Sequence, residues 1–312
     1  MKYCKEDIVK KIKRAYKSGN EGQLGRKNND ECYTQKQDVY NELSKWAALD
    51  KFRNKNIICP CDTSESAFVK VLTENKEAWG IKSITHSHYN PVTGKGIKFQ
   101  DIDYSKYDIC ITNPPFSLKS EFMKCIVGKI DFIVLLPFLS RVTPCVGLPL
   151  MEHNVFLGFG VNLPLTFANP TKENNYSGEK SVACDWITSF SDAQDERNAR
   201  HFKSGVKYDK DEYVEMPKMT MKDGTHPIKV RSSVYPEDYT GWMFAPISVL
   251  DNLDQESYEW YCTGCKRYLN HMENSIFNHK ADDQTMLMYP DGKRGFHGIL
   301  FRKMPVVGTN NN

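Results

Sequence analysis

The sequence lacks a long hydrophobic run and a strong charge of either sign. No apolar stretch approaches the length of a membrane span, and the Lys-rich start has no apolar core of the kind found in signal peptides, so we expect neither. The 42 Lys and Arg residues nearly balance the 39 Asp and Glu residues, and the net charge of +3 permits nucleic-acid binding without arguing for it. Any basic surface must therefore be local.

The sequence also lacks a disulfide framework and a complete metal motif. Its ten cysteines are scattered, and without a secretion signal we interpret them as reduced, mostly buried thiols. Cys262 and Cys265 form one CxxC pair, and His271 and His279 are too loosely spaced to complete more than half of a zinc signature. We predict no metal site, and a structural zinc at this pair is the less favoured alternative.

A further absence is glycine in the turn after the first predicted strand. Residues 56–59 read as a core strand, and a helix is predicted from about residue 66 to residue 75. Strand, small polar turn and helix is the geometry of a nucleotide-type cofactor site. Glycine would let the backbone approach a ligand closely. In this turn, Cys, Ser and Thr residues must allow the backbone to approach the ligand.

The most informative stretch is a short apolar run that ends in Asn-Pro-Pro-Phe. Residues 108–112 read as a buried strand rich in β-branched side chains. Proline cannot donate to a sheet ladder, so the strand must stop in a rigid polar loop. In open α/β sheets, ligands bind at the carboxyl ends of the strands. We therefore expect a functional loop made of Asn113, Pro114, Pro115 and Phe116.

This loop resembles the catalytic loop of amino-methyltransferases that use S-adenosylmethionine. An exocyclic amine such as adenine N6 is a poor nucleophile because its lone pair is delocalised into the ring. The Asn113 side-chain oxygen and the Pro114 carbonyl could accept its two hydrogens and aim the lone pair at the methyl group. Phe116 would stack on a flipped-out base. The alternative is an ordinary strand-to-loop turn that contains two prolines.

Two other places could contact the cofactor. Tyr33, Thr34 and Gln35 precede a helix predicted over residues 38–46, whose N-terminus suits a carboxylate such as that of the methionine moiety. The alternative is that Thr34 is only an N-cap. Residues 97–99 read as a short strand leading to Asp101, which could accept from the cofactor's adenine amino group or could be a loop carboxylate.

The remaining pattern predicts a doubly wound α/β core followed by a different region. Further strands are expected at 82–85, 131–136, 155–160 and 181–190, and Ser117 is placed to cap a helix over 119–127. After residue 192, basic and aromatic residues interleave, as on a nucleic-acid surface, although intervening acids leave a solvated face as an alternative. Residues 241–250 are expected to pack on the core.

Five segments in fixed order are similar to the EcoRI-type adenine-specific DNA methyltransferases: residues 30–35, 59–68, 108–118, 184–188 and 241–250. The resemblance implies a Rossmann-like core that uses S-adenosylmethionine to methylate adenine N6 in duplex DNA. It implies a cofactor pocket lined by seven residues and a base held by residues 113–116. The seven are Tyr33, Thr34, Gln35, Cys61, Asp62, Asp101 and Asn113.

The resemblance also suggests an organisation and a setting. We expect a basic arm (1–28), a methyltransferase core (29–190), a C-terminal target-recognition region that packs on the core (191–305) and a tail (306–312). The implied setting is restriction–modification or phage DNA protection in the cytoplasm, by a monomer that acts separately from any cognate endonuclease. Alternatives are methylation of RNA guanine N2 or protein glutamine, or a non-catalytic DNA-binding relative, which the glycine-free turn suggests.

Overall fold

The computed structural model describes residues 34–90, 93–167, 180–199, 205–216, 220–262 and 298–304. Tyr33, Cys265, His271, His279, the arm and the tail lie outside these residues. The chain divides into two compact units, the first made of Met1–Ser140 and Glu152–Ala193, the second of Arg141–Met151 and Gln194–Asn312. The functional division at residue 190 stays a prediction.

The described part of the first unit contains a mixed seven-stranded sheet. Its strands are β1 (Asn56–Cys59), β2 (Ser83–His86), β3 (Ile109–Thr112), β4 (Asp131–Pro137), β5 (Phe156–Leu157), β6 (Leu163–Phe167) and β7 (Lys180–Thr188). The order is β2-β1-β3-β4-β7-β5, with β6 also paired to β7. The first four are parallel, and β7 is antiparallel to β4. This sheet confirms the predicted α/β, Rossmann-like core.

The described part of this unit contains three α-helices that begin and end within it: α1 (Lys36–Ala48), α2 (Ala67–Glu74) and α3 (Lys119–Ile126). The apolar positions of α1 and α2 recur at helical spacing, so each helix buries one face in a shared core. That core includes Trp46 of α1, Phe68 of α2 and Trp186 of β7. Strand β3 is buried along its whole length, as expected for a parallel strand covered on both faces.

Two local predictions around the site are wrong. Residues 97–99 form no strand, because Phe99 turns inward against the Phe122 ring, 5.3 Å between centroids, and Phe99–Asp101 closes as a 3-10 helix. Ser117 does not cap α3. It lies inside a 3-10 helix, Phe116–Leu118, and the N-cap is Leu118, which makes no side-chain bond.

The described part of the second unit contains a four-stranded sheet, ordered β10-β11-β9-β8. Its strands are β8 (Ile228–Lys229), β9 (Met243–Pro246), β10 (Tyr258–Cys262) and β11 (Gly298–Lys303), and the helices are α4 (Pro144–Met151) and α5 (Asp192–Ala199), which begins in the first unit. Residues 241–250 supply β9, and Trp242 and Phe244 join this unit's own apolar cluster with Met221 and Leu300.

No described helix is long and apolar enough to cross a membrane.

Candidate active site

The carboxyl ends of β1, β2 and β3 meet at one edge of the first unit's sheet, because these strands are parallel neighbours. Cys61 and Asp62 follow β1, Ser87 follows β2, and Asn113 follows β3. Two backbone bonds tie the first two strand ends together. The Asp62 N–H donates to the Ser87 carbonyl at 3.0 Å, and the Ser87 N–H donates to the Cys59 carbonyl at 3.0 Å.

The Asn113 loop lies beside the start of α1. The Asn113 Nδ2 donates a 3.2 Å hydrogen bond to Thr34 Oγ1, across 79 positions of sequence. The N-cap of α1 is Gln35, not Thr34, and the Gln35 side chain makes no capping bond. The alternative role of Thr34 as a plain N-cap is therefore wrong. The first-turn N–H groups of α1 lie close to the loop and are not bonded by their N-cap side chain.

The rest of the loop is packed rather than exposed. Pro114 is buried, while Pro115 and Phe116 are half-buried. Phe116 contacts the main apolar core of the unit, and its carbonyl accepts from Lys119 Nζ at 3.4 Å. The Pro115 carbonyl accepts from the Leu118 N–H at 2.9 Å. These contacts make the loop a rigid continuation of β3.

Asp62 is a buried acid, with 5% of its surface exposed. The Thr112 hydroxyl donates to Asp62 Oδ2 at 2.5 Å, and the Ser66 hydroxyl is a second side-chain partner. Burial raises the pKa of Asp62 to about 6, against the two hydroxyl bonds, which favour the charged form. Burial, followed by the charge of Asp62, also raises the pKa of the Cys61 thiol well above its ordinary value, so Cys61 is a neutral thiol.

The turn after β1 is held by hydroxyl groups in place of glycines. Ser66 is the N-cap of α2, and its Oγ accepts from the Val69 N–H at 3.2 Å. Thr63 Oγ1 accepts from the Glu65 N–H at 3.3 Å. Side-chain acceptors thus satisfy backbone N–H groups of the turn and the helix start. They define the turn without a left-handed residue.

Two predicted cofactor residues are not drawn into this cluster. Asp101 is exposed, and its N–H donates to the Lys98 carbonyl at 2.9 Å within the 3-10 turn. Gln35 is exposed at the N-cap of α1. Tyr33 lies outside the described residues. The structure therefore brings together Thr34 with Asn113, and Asp62 with Thr112, the residue before that asparagine.

The sequence reasoning missed a buried carboxylate on α1. Glu42 is 2% exposed, and its Oε1 accepts from Trp46 Nε1 and from the Phe159 N–H, both at 2.9 Å. Its Oε2 accepts from the Gly160 N–H at 2.7 Å. The acid therefore holds α1, the helix that begins just after Thr34, against the segment that follows β5. An acid among the apolar positions of a predicted helix was the available signal.

Within the described residues, no group of three or more His, Cys, Asp or Glu side chains is arranged to hold a metal ion. Cys262 is a buried free thiol at the end of β10.

The model of the family described as adenine-specific methyltransferase EcoRI matches residues 23–106 and 102–303. The chain belongs to this family. It is 25% identical over 290 residues to the Type II methyltransferase M.EcoRI of Escherichia coli, covering 74% of this chain and 84% of that protein. It is 24% identical over 269 residues to the Type II methyltransferase M.MpnI of Mycoplasma pneumoniae, covering 74% and 81%.

A solved structure described as an RNA methyltransferase of Pyrococcus horikoshii overlaps at 14% identity and a TM-score of 0.34, covering 59% of this chain and 98% of that one. The assignment rests on the family match, not on this overlap. Membership confirms the predicted class, an adenine-specific DNA methyltransferase that uses S-adenosylmethionine. Membership favours DNA adenine methylation over the alternative hypotheses of RNA guanine methylation, protein glutamine methylation and a non-catalytic DNA-binding protein.

The residues at the sheet edge suit this cofactor. A positively polarised helix start beside Thr34 suits a carboxylate. A buried acid and small hydroxyl side chains at the ends of neighbouring parallel strands suit its amino and hydroxyl groups. S-adenosylmethionine is a nucleoside joined to an amino acid. The donors and acceptors that suit both parts lie at one edge of the sheet.

Proposed function

We propose that Asn113, Pro114, Pro115 and Phe116 form the catalytic loop that presents the target adenine for methylation at N6. The observation that carries this proposal is the hydrogen bond from Asn113 Nδ2 to Thr34 Oγ1. This bond fixes the plane of the Asn113 amide, so its oxygen has a defined direction at the carboxyl edge of the sheet. A rigid acceptor of this kind is what a weakly nucleophilic amine needs for alignment.

The proposed cofactor site uses the residues predicted around the start of α1 and in the turn after β1, together with Asp101. Thr34, Gln35 and the N–H groups at the start of α1 would hold the methionine carboxylate, while Cys61 and Asp62 would line the nucleoside side. Asp101 is retained as a proposed contact to the adenine amino group, because it is exposed and carries no ion pair among the described residues. Tyr33 completes the proposed set. When bound, the cofactor supplies an electrophilic methyl group.

The chemistry asked of the protein is alignment rather than strong-base catalysis. The Asn113 oxygen and the Pro114 carbonyl would accept the two hydrogens of the amine, which concentrates the lone pair on nitrogen. The half-buried Phe116 ring would stack on the flipped base, since its packing against the core leaves part of the ring accessible. After transfer, a proton leaves the methylated amine to solvent.

A methylation assay with labelled S-adenosylmethionine and unmethylated duplex DNA tests the proposal. Asn113→Ala is expected to lower kcat by about 10²-fold or more, the usual loss when a transition-state contact is removed. Cofactor affinity, measured by calorimetry, should change far less. Asn41→Ala is the matched control, because the exposed Asn41 side chain, within the part of the chain that the structure describes, bonds only Gln37 on the surface of α1, at 2.7 Å.

Activity of Asn113→Ala within about threefold of the wild type would contradict the role of the loop. Absence of N6-methyladenine with a folded wild-type protein, on any duplex tested, would contradict the activity. Competition by duplex DNA against structured RNA separates the DNA substrate from the RNA alternative.

We also propose the setting in which the enzyme acts. The relatives named Type II methyltransferases support a cytoplasmic role in restriction–modification or phage DNA protection, by a monomer that works apart from any cognate endonuclease. Residues 191–305 are proposed to recognise the target, and the arm (1–28) to contact phosphates. Sequencing of host DNA for modified adenines reports both activity and site. Light scattering of the free enzyme checks the monomer.

A further inference from the structure

Thr112 is the last residue of β3 and stands directly before the catalytic loop. None of its surface is exposed. Its hydroxyl donates to Asp62 Oδ2 at 2.5 Å, across 50 positions of sequence. A single buried hydroxyl therefore links the end of β3 to the turn that follows β1.

Shape alone does not account for a threonine at this position. Valine has nearly the same volume, strands favour it, and it brings no polar atom that must be satisfied in the interior. What the hydroxyl adds is a directed bond to a buried carboxylate, and bonds to charged groups are the stronger class. The threonine hydroxyl therefore contributes a hydrogen bond to Asp62 that valine could not make.

That connection joins three elements of the candidate site. Thr112 is bonded to the turn after β1 through Asp62, and its chain neighbour Asn113 is bonded to Thr34 at the start of α1. The Asp62 backbone is bonded in turn to Ser87 after β2. Two side-chain bonds on consecutive residues therefore hold this segment, one to the turn after β1 and one to the residue before the N-cap of α1.

We propose that Thr112 is a positioning residue for methyl transfer, whose hydroxyl, bonded to Asp62, holds Asn113 at a fixed distance from the turn that follows β1. The proposal rests on the proposed function of Asn113 as the group that aligns the target amine. Thr112 touches no reacting atom in this scheme. Its effect reaches the chemistry through Asn113, and small displacements of an aligning group reduce rates steeply.

The electrostatics of the pair provide an independent readout. The groups that face Asp62 are the hydroxyls of Thr112 and Ser66 and the thiols of Cys59, Cys61 and Cys110, all three of which have a pKa raised by burial. Among these, Asp62 alone titrates near neutrality. Because the Thr112 hydroxyl lowers the pKa of Asp62, removing it raises that pKa. In a plot of kcat against pH, the rise on the acidic side should then move to higher pH.

The test compares Thr112→Val with Thr112→Ser in the full-length enzyme. The valine variant is expected to lose about 10-fold to 100-fold in kcat, with KM for duplex DNA within about twofold of the wild type. The rise on the acidic side of its kcat profile should move to higher pH. The serine variant keeps the hydroxyl and should retain kcat within about threefold, with an unshifted profile. Thermal melting and cofactor calorimetry on each variant confirm that the fold is intact.

Thr188→Val is the matched control. Thr188 is equally buried at the end of β7, and among the described residues its hydroxyl accepts only from the Phe190 N–H, at 3.1 Å. This variant should keep kcat and its pH profile. If Thr112→Val does not fold, Thr112→Ala against Thr112→Ser isolates the hydroxyl, because both lack the methyl group.

The outcomes separate this proposal from the one on which it rests. If Asn113→Ala is inactive while Thr112→Val matches the wild type in kcat and pH profile, the positioning role is wrong and the catalytic loop stands. Equal losses in the valine and serine variants would also overturn it, since packing and not the hydroxyl would then matter. If Asn113→Ala keeps its activity, the catalytic role of the loop is contradicted, and the positioning role of Thr112, which rests on it, is contradicted with it.

Discussion

Replacing Asp62 with asparagine is expected to stabilise the cofactor-free fold and to impair methylation. Burial raises the pKa of Asp62 from 3.8 to about 6. The folded protein therefore binds this proton more tightly than the unfolded chain, so the free energy of unfolding falls as pH rises from about 4 to about 6. A tenfold change in proton affinity is worth about 1.4 kcal/mol, so the buried charge costs about 3 kcal/mol above pH 6.

Asparagine has the same shape and no charge to desolvate. The hydroxyls of Thr112 and Ser66 can each donate or accept, so both ends of the new amide keep partners. At pH 8 Asp62→Asn should therefore be more stable than the wild type by up to about 3 kcal/mol, and the difference should shrink towards zero at pH 4. Urea unfolding of the cofactor-free protein at the two pH values measures this directly.

The exposed Asp131→Asn is the matched control and should change stability by less than about 0.5 kcal/mol at either pH. If Asp62→Asn were no more stable than the wild type at pH 8, or if its advantage did not depend on pH, the account of Asp62 as a buried charge would be refuted. Stabilisation together with lost activity would mark Asp62 as a residue kept for function at the expense of stability.

Two further changes test the packing of each unit. Gly158→Ala should destabilise the first unit by about 1–3 kcal/mol, since its new Cβ would lie 2.6 Å from both Glu42 Oε1 and Trp186 Cβ, and differential scanning calorimetry should show a lower Tm. Arg141→Met should destabilise the second unit by about 3–5 kcal/mol, because Arg141 is wholly buried and bonds Asp251 at 2.5 Å, and limited proteolysis should show faster cleavage of that unit.

Local elements were predictable where a short-range rule governs them. The strand Asn56–Cys59 coincides with its apolar run, and Ser66 caps α2 where the predicted helix begins. The end of β3 at Thr112 follows from the two prolines that come after Asn113. The same kind of rule failed at Ser117, because the 3-10 turn that Phe116 starts shifts the N-cap to Leu118.

The sequence by itself determined the Asn-Pro-Pro-Phe loop, the α/β class and the family. These depend on residue types, on the spacing of apolar residues and on the order of motifs along the chain. Only the tertiary structure decided which residues share the site. The Asp62–Thr112 and Thr34–Asn113 bonds join positions 50 and 79 residues apart, and they exist because β1 and β3 are neighbours and α1 starts at their carboxyl edge. Strand order is a property of the packed sheet, so no local pattern could reveal that Thr112 links the cofactor turn to Asn113.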